Sequence, residues 1–346
     1  MWTTYEVVKS QDLRAVAIFL DQFGLRYDRA SDLTVEIRVH QQIVATGSLE
    51  GNVLQCIAVD STMQGEGLSA KIVHYLMLAA LRQGHTRVFI FTMPEQASFF
   101  ASMGFRMLVK TEWAALLESG FPCLEDYLAQ LESVASAVPA TKDGKVGGLV
   151  VNCNPFTLGH QHLVAVAAKQ CDHVYVLVVE ENRSVFPFAV RLELVKQGTQ
   201  HLKNVTVLPS GPYAVSAATF PSYFSEEETA HARAGASVDA TLYATHIARA
   251  LNVRVRYVGT EPYSPVTAIY NHSLREILAQ HDIQLLEVPR LEKAGMAISA
   301  SHVRGVLRAG DFSALGQLVP ETTLAFLQSA QATDIINKIR QTTNRH

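Results

Sequence analysis

The second half of the sequence alternates short, almost wholly apolar segments with segments whose apolar residues recur at helical spacing. Apolar segments such as VGGLVVN (146–152) and HVYVLVVE (173–180) offer no polar side that could face water. Strands of this kind are buried on both faces, and the helices between them provide the crossovers that parallel pairing requires. The pattern predicts an α/β domain with a Rossmann-like parallel sheet, whose ligands bind at the carboxyl ends of the strands.

Five strands and five helices are predicted in this region. The strands cover 146–152, 173–180, 205–210, 254–260 and 284–289, and the helices cover 158–170, 188–202, 236–251, 266–281 and 299–310.

The first half has a different organisation. A helix is predicted over 12–25, antiparallel strands over 33–59 with a Gly51-Asn52 hairpin turn, a long helix after a glycine-rich turn, and a strand over 87–93. This order predicts an α+β module. Between the halves, SVASAVPATKDGKV (133–146) is small, polar and proline-containing, as linkers are. A length of 346 residues favours two domains, and we predict them at 1–136 and 147–346, joined by a linker at 137–146.

Composition excludes several classes of protein. Hydrophobic residues make up 48% and charged residues 18%, which excludes a disordered chain. A net charge of −3 does not favour binding to nucleic acid or an anionic membrane, and no apolar run reaches the ~18–20 residues of a membrane span. The four cysteines are scattered, the N-terminus lacks the features of a signal peptide, and no cluster of metal ligands is evident. We expect a cytoplasmic protein without a protein-held metal.

The segment NCNPFTLGHQHL (152–163) lies where the first strand of the predicted sheet gives way to a helix. A helix N-terminus presents unpaired N–H groups and partial positive charge, so it attracts phosphate. Gly159 has no side chain to keep a nucleotide from the first helical turn. His160 can donate a hydrogen bond to an anionic oxygen, and Thr157 adds a hydroxyl at the same end. These residues suit an α-phosphate whose charge grows during attack.

Thr157-Leu158-Gly159-His160 resembles the (H/T)xGH signature of the nucleotidylyltransferase superfamily. A second segment, ISASHVR (298–304), resembles the superfamily's ISxSxxR signature. The resemblance implies catalytic roles for His160 and Thr157. It implies ATP or phosphate binding by a larger set: Asn154, Phe156, Gly159, Arg191, Ser299, Ser301 and Arg304.

Four segments together resemble the [citrate (pro-3S)-lyase] ligase family, namely residues 152–164, 218–224, 259–271 and 298–304. The family resemblance implies an enzyme that uses ATP, with Mg²⁺ on the triphosphate, to activate acetate as acetyl-adenylate. The acetyl group would pass to the thiol of a dephospho-CoA-like prosthetic group on the citrate lyase acyl-carrier subunit, with release of AMP and pyrophosphate.

The N-terminal module is similar to GNAT acetyltransferases. Its loop contains Gln64, Gly65, Gly67 and Ser69 and resembles the (Q/R)xxGx(G/A) loop that holds the CoA pyrophosphate, which implies binding of a CoA-like arm. Ser69 stands where the family has Gly or Ala. Phe100 occupies the position of the usual catalytic tyrosine and has no hydroxyl, which argues against acetyl transfer by this module.

Three other functions stay open at this point. The chain could be a nucleotidylyltransferase acting on a phosphate-bearing small molecule, which would need a basic pocket for a second phosphate. It could be a GNAT acetyltransferase with an ATP-sensing C-terminal half. It could also be a non-catalytic adaptor for the carrier, although two intact phosphate motifs argue against that role.

Overall fold

A computed structural model describes residues 3–7, 10–27, 31–139, 144–220, 229–260, 265–293 and 295–341. Of the four segments that carry the family resemblance, 221–224 and 261–264 lie outside this part of the chain. The chain divides into two compact units, Met1–Asp126 and Tyr127–His346.

The N-terminal unit is an α+β structure, as predicted, built on one mixed sheet. Its strands are β1 (Thr4–Glu6), β2 (Leu33–Val39), β3 (Gln42–Glu50), β4 (Val53–Val59), β5 (Arg87–Thr92), β6 (Arg106–Lys110) and β7 (Ala115–Gly120). Its helices are α1 (Ser10–Asp21), α2 (Leu68–Arg82) and α3 (Ala97–Ser102), and α4 (Leu124–Ala137) begins in this unit. The strand order is β1-β2-β3-β4-β5-β7-β6, and every neighbouring pair is antiparallel except β4–β5.

The predicted hairpin is confirmed, because Glu50 pairs with Val53 across a turn in which Gly51 has a φ of 56°. Sequence patterning missed β1, β6, β7 and α3. These elements are three to six residues long, which is too short for a periodic signal to stand out.

The C-terminal unit contains the predicted parallel sheet. Its strands are β8 (Val146–Val151), β9 (His173–Val178), β10 (Val205–Pro209), β11 (Val255–Gly259) and β12 (Gln284–Val288), with a small hairpin of β13 (Glu292–Lys293) and β14 (Met296–Ala297). Its helices are α5 (Leu158–Gln170), α6 (Phe188–Thr199), α7 (Thr229–Leu242), α8 (Ala248–Ala250), α9 (Pro265–Ala279), α10 (Ala300–Ala309), α11 (Glu321–Gln328) and α12 (Thr333–Gln341). A π-helical segment, Tyr243–Ile247, joins α7 to α8.

In the strand order β10-β9-β8-β11-β12, the topological switch point lies between β8 and β11. The chain leaves β8 toward β9 and β10, and it returns to add β11 and β12 on the other side. All four pairings are parallel. In open sheets of this kind a crevice opens at the carboxyl ends of the strands on either side of the switch. The loop that follows β8 is therefore the expected ligand-binding loop.

Helix α4 occupies the first part of the small, polar stretch 133–146, because residues 133–137 form its last turns. The linker at 137–146 stays a prediction, and its residues 140–143 lie outside the described part of the chain. The helix joins the C-terminal unit through Tyr127, whose ring lies 5.4 Å from that of Tyr213 and whose hydroxyl donates to the Pro209 carbonyl at 3.0 Å. Small residues such as Ala and Ser are compatible with a helix, so composition alone does not show where α4 ends. Among the described helices, none has the length and apolar character needed to cross a membrane.

Candidate functional site

The loop after β8 is held in an unusual conformation at the carboxyl end of the sheet. Cys153 is buried and has a φ of 52°, and the Asn154–Pro155 peptide bond is cis. Burial raises the pKa of the Cys153 thiol, which favours the thiol over the nucleophilic thiolate. The loop ends at Thr157, which is the N-cap of α5.

Thr157 and His160 form a reciprocal cap at the start of α5. The Thr157 hydroxyl oxygen accepts from the His160 backbone N–H at 3.3 Å, and the Thr157 backbone N–H donates to His160 Nδ1 at 3.0 Å. Because Nδ1 accepts a hydrogen bond, the neutral imidazole carries its proton on Nε2. The cap therefore fixes the tautomer and leaves Nε2–H as the hydrogen-bond donor of this side chain.

The environment of the His160 ring favours its neutral form, and an aromatic side chain packs against it. Burial, together with the positive charge of Arg290, lowers the pKa of His160 to about 4. Phe156 stacks against the imidazole with ring centres 5.9 Å apart and planes 16° apart. Phe156 is itself fully buried, beside Gly198. This placement favours a supporting role for Phe156, and its predicted contact with ATP stays untested.

Gly159 brings the two sequence motifs together. A Cβ added to Gly159 would lie 2.7 Å from the Ile298 carbonyl oxygen, so only glycine permits this approach. Ile298 immediately precedes Ser299, the N-cap of α10, whose hydroxyl accepts from the His302 backbone N–H at 3.1 Å. The first turns of α5 and α10 are thus neighbours, and their partial positive charges add at the same edge of the sheet.

Arg304 ties α10 to the loop after β8. Its Nη1 donates to the Asn154 carbonyl, and its Nη2 donates to the Ser301 hydroxyl at 3.4 Å. The side chain is buried. Arg304 therefore holds the Asn154 carbonyl of the loop after β8, and its predicted contact with phosphate stays untested.

Arg191, on α6, also contacts the backbone. It is fully buried, and it donates to four carbonyl oxygens at 2.6–3.0 Å. These carbonyls belong to residues at or beyond the carboxyl ends of β8 and β9, namely Asn152, Val179, Glu181 and Phe186. The geometry favours a structural role for Arg191, whereas the superfamily resemblance implied phosphate binding.

Asn154 supplies an unsatisfied donor to the same loop. Its Oδ1 accepts from the Phe186 backbone N–H at 3.1 Å, which fixes the orientation of the amide. The side-chain Nδ2 is buried and has no hydrogen-bond partner among the described residues. Because an unpaired buried donor costs roughly 1–3 kcal/mol, this nitrogen is a candidate to contact a ligand oxygen.

Sequence reasoning missed Arg290. It follows β12, its Nε donates to the Thr260 carbonyl at 2.7 Å, and its charge acts on His160. Nothing in the local sequence separates this arginine from a surface charge, and only the order of the strands brings it to the crevice.

The glycine-rich loop of the N-terminal unit lies before α2. Gly65 and Gly67 have φ values of 88° and 73°, a region that residues with a side chain seldom adopt. Gln64 is exposed and Ser69 is partly buried in the first turn of α2. Phe100 is buried in the hydrophobic core of this unit.

Comparisons with known proteins agree with this architecture. The sequence model of the citrate lyase ligase C-terminal domain matches residues 146–327. A [citrate [pro-3S]-lyase] ligase from Klebsiella pneumoniae is 37% identical over 318 residues, which is 90% of this chain and 92% of that protein. The Escherichia coli K12 [citrate [pro-3S]-lyase] ligase is 32% identical over 336 residues, which is 95% of this chain and 94% of that protein.

Among solved structures, an acetyltransferase of the GNAT family from Staphylococcus aureus is 12% identical, and its alignment covers 34% of this chain and 99% of that chain with a TM-score of 0.29. The two full-length relatives and the domain match decide the family. The chain belongs to the [citrate [pro-3S]-lyase] ligase family.

Proposed function

We propose that this protein is an ATP-dependent ligase that acetylates the thiol prosthetic group of the citrate lyase acyl-carrier subunit. A carboxylate oxygen of acetate attacks the α-phosphorus of ATP, the bond to the β-phosphate oxygen breaks, and pyrophosphate leaves. The thiolate sulfur of the prosthetic group then attacks the acetyl carbonyl carbon, and AMP leaves with its electron pair. The observation that carries this proposal is the approach of Gly159 to Ile298, since it sets two helix N-termini side by side.

The residues around that contact suit a triphosphate. His160 Nε2–H is a neutral donor of fixed tautomer, suited to an α-phosphate oxygen whose charge increases in the transition state. Asn154 Nδ2 offers a second donor that otherwise lacks a partner among the described residues. Ser299 and Ser301 stand at the start of α10, where the outer phosphates would meet its N-terminus. Mg²⁺, bound by phosphates and water, would neutralise part of the triphosphate charge.

The chain's own contribution is chiefly positional. Thr157 orients the imidazole, and Arg191 and Arg304 hold the loops that carry the donors. Fixed donors cost no reorganisation at the moment of reaction, which is how such sites accelerate nucleotidyl transfer. No general base is needed in the first step, because acetate is already deprotonated.

For the second step we propose that the Gln64–Ser69 loop binds the CoA-like arm of the carrier. Its two glycines have left-handed φ values, and turns of this kind can present backbone N–H groups to an anion. Tethering the arm would raise the local concentration of the thiol near the acetyl-adenylate. Phe100 supplies no acid for acetyl transfer by the N-terminal unit itself.

Exchange of labelled pyrophosphate into ATP, measured over a panel of short carboxylic acids, tests the first step. The proposal expects exchange that depends on acetate and needs no carrier. Label from [α-³²P]ATP should finish in free AMP when thiol carrier is added. Label retained in a covalent nucleotide product would instead identify a nucleotidylyltransferase. Acetylation of an amine from acetyl-CoA without ATP consumption would identify an acetyltransferase.

A further inference from the structure

Both arginines that the superfamily resemblance places in the site are engaged with the protein backbone. Arg191 is fully buried and Arg304 is 6% exposed, and five of the hydrogen bonds they donate end on main-chain carbonyls. The N–H groups that these arginines donate to carbonyls are not available to a substrate oxygen. A further cation would counter the repulsion between ATP and acetate, which are both anions, as they approach each other.

Arg290 is in the right position to be that cation. It follows the carboxyl end of β12, and its Nε donates to the carbonyl of Thr260 just beyond the end of β11. This bond places the guanidinium beside the crevice between β8 and β11. Unlike Arg191 and Arg304, Arg290 is only partly buried.

The surroundings of Arg290 link it to His160. The positive charge of Arg290 is felt at the His160 imidazole, where it contributes to the lowered pKa. The next residue, Leu291, accepts the Ile298 backbone N–H at 2.9 Å, and Ile298 is the residue that Gly159 approaches. Arg290 therefore lies one residue from the backbone segment beside the first turn of α5.

We propose that Arg290 is a catalytic residue that binds an anionic oxygen of the reacting substrates at the position faced by His160. The oxygen belongs either to the phosphate chain of ATP or to the carboxylate of acetate, and the two sources share the same chemistry. The proposal rests on the proposed function. It adds a cation that counters the repulsion between two negatively charged reactants and is held in place by Thr260.

Two substitutions separate the charge of Arg290 from its backbone contact. Arg290→Gln retains an N–H donor for the Thr260 carbonyl and loses the charge, whereas Arg290→Lys retains the charge. Arg249→Gln, on the exposed surface of α8, removes one positive charge elsewhere and serves as the control. All three are assayed by acetate-dependent ATP–pyrophosphate exchange, with ATP and acetate varied in turn.

Loss of the charge should lower kcat/KM by about 10–100-fold in Arg290→Gln, with Arg290→Lys within about tenfold of wild type and Arg249→Gln unchanged. A rise in KM confined to ATP identifies the phosphate as the partner, and a rise confined to acetate identifies the carboxylate. The His160 pKa, followed by NMR of the imidazole, should rise in Arg290→Gln and stay low in Arg290→Lys.

Equal activity of Arg290→Gln and wild type in folded protein would overturn the proposal. So would equal losses in the Gln and Lys variants, because they would point to the Thr260 contact alone, or an unchanged His160 pKa in Arg290→Gln. If wild-type protein shows no acetate-dependent exchange, the proposed function fails instead. Calorimetric titration of wild type and Arg290→Gln with MgATP and with acetate then decides the role of Arg290 independently, and equal affinities for both ligands would reject it.

Discussion

His160 performs two tasks that can be separated by substitution. Its Nδ1 accepts the Thr157 backbone N–H at 3.0 Å and so completes the cap of α5, whereas Nε2–H is the proposed donor to the α-phosphate. The amide oxygen of an asparagine side chain occupies nearly the position of Nδ1, and the amide nitrogen of glutamine nearly that of Nε2. His160→Asn therefore keeps the cap and removes the donor, and His160→Gln does the reverse.

The two losses differ in size. Removing one donor to a developing oxyanion costs about 10²–10³ in turnover, or about 2.7–4 kcal/mol. Losing the cap costs about 1 kcal/mol of unfolding free energy, which for a unit of this size lowers Tm by about 2–4 °C. We expect His160→Asn to lose about 10²–10³ in kcat with a Tm near wild type. His160→Gln should keep more activity and lose about 2–4 °C in Tm, and His160→Ala should show both defects.

The assay is the kcat of acetate-dependent ATP–pyrophosphate exchange, with Tm measured on the same samples. Thr157→Ala is the matched control, because it removes the hydroxyl contacts with the His160 N–H and with Nδ1 and keeps the backbone N–H that donates to Nδ1. We expect it to lose Tm and less than about tenfold in kcat. The reasoning is refuted if His160→Asn turns over within about threefold of wild type. It is also refuted if Thr157→Ala and His160→Asn lose the same activity, since the cap alone would then explain both.

Because the folded-state pKa of His160 is about 4 and the unfolded value is ~6.5, unfolded protein takes up a proton first as pH falls. The free energy of unfolding is highest above pH ~6.5 and falls by on the order of 3 kcal/mol between that pH and about 4. Urea midpoints should therefore fall over this range in wild type and fall less in His160→Asn. Gly159→Ala should lower unfolding stability by about 1–3 kcal/mol through the clash with Ile298, measured by urea denaturation. Arg304→Ala should raise the KM for ATP, measured by exchange, more than it raises the KM for the carrier, measured by acetylation of the carrier. Gly67→Ala, at a φ of 73°, should leave pyrophosphate exchange intact and slow acetylation of the carrier.

The strongest predictions from sequence came from elements with clear ends. The predicted helix 158–170 coincides with α5, because Thr157 is a good N-cap and an apolar strand precedes it. The predicted helix 236–251 starts seven residues late, since α7 begins at Thr229, and its C-terminal part contains a π-helical segment. A run such as TAHARAGASV has too few large apolar residues to show a helical period.

The order of the strands in the sheet could not be predicted from the sequence pattern. Adjacent strands along the chain are neighbours for β8, β9 and β10, but β11 returns to the far side of β8. That crossover decides which loops meet, and it alone brings Arg290 toward His160. The two phosphate motifs were visible as local patterns, whereas the contact between Gly159 and Ile298 spans well over a hundred residues of chain and leaves no local signal.

Arginines surround the crevice for a reason that follows from the sheet itself. The carboxyl ends of parallel strands and the loops after them expose carbonyl oxygens, whose partial negative charge would repel a triphosphate. Arg191 covers four of these oxygens, Arg304 covers that of Asn154, and Arg290 covers that of Thr260.

Because these carbonyls are paired with guanidinium groups, the electrostatic field at the edge of the sheet is set by the N-termini of α5 and α10 and by the net charge of the arginines. An arginine that never touches the nucleotide can thereby favour anion binding, because it removes the nearest source of repulsion. Both burial and charge matter for this effect. A lysine at position 191 has a single ammonium group, which cannot reach four carbonyls in the directions that the planar guanidinium serves.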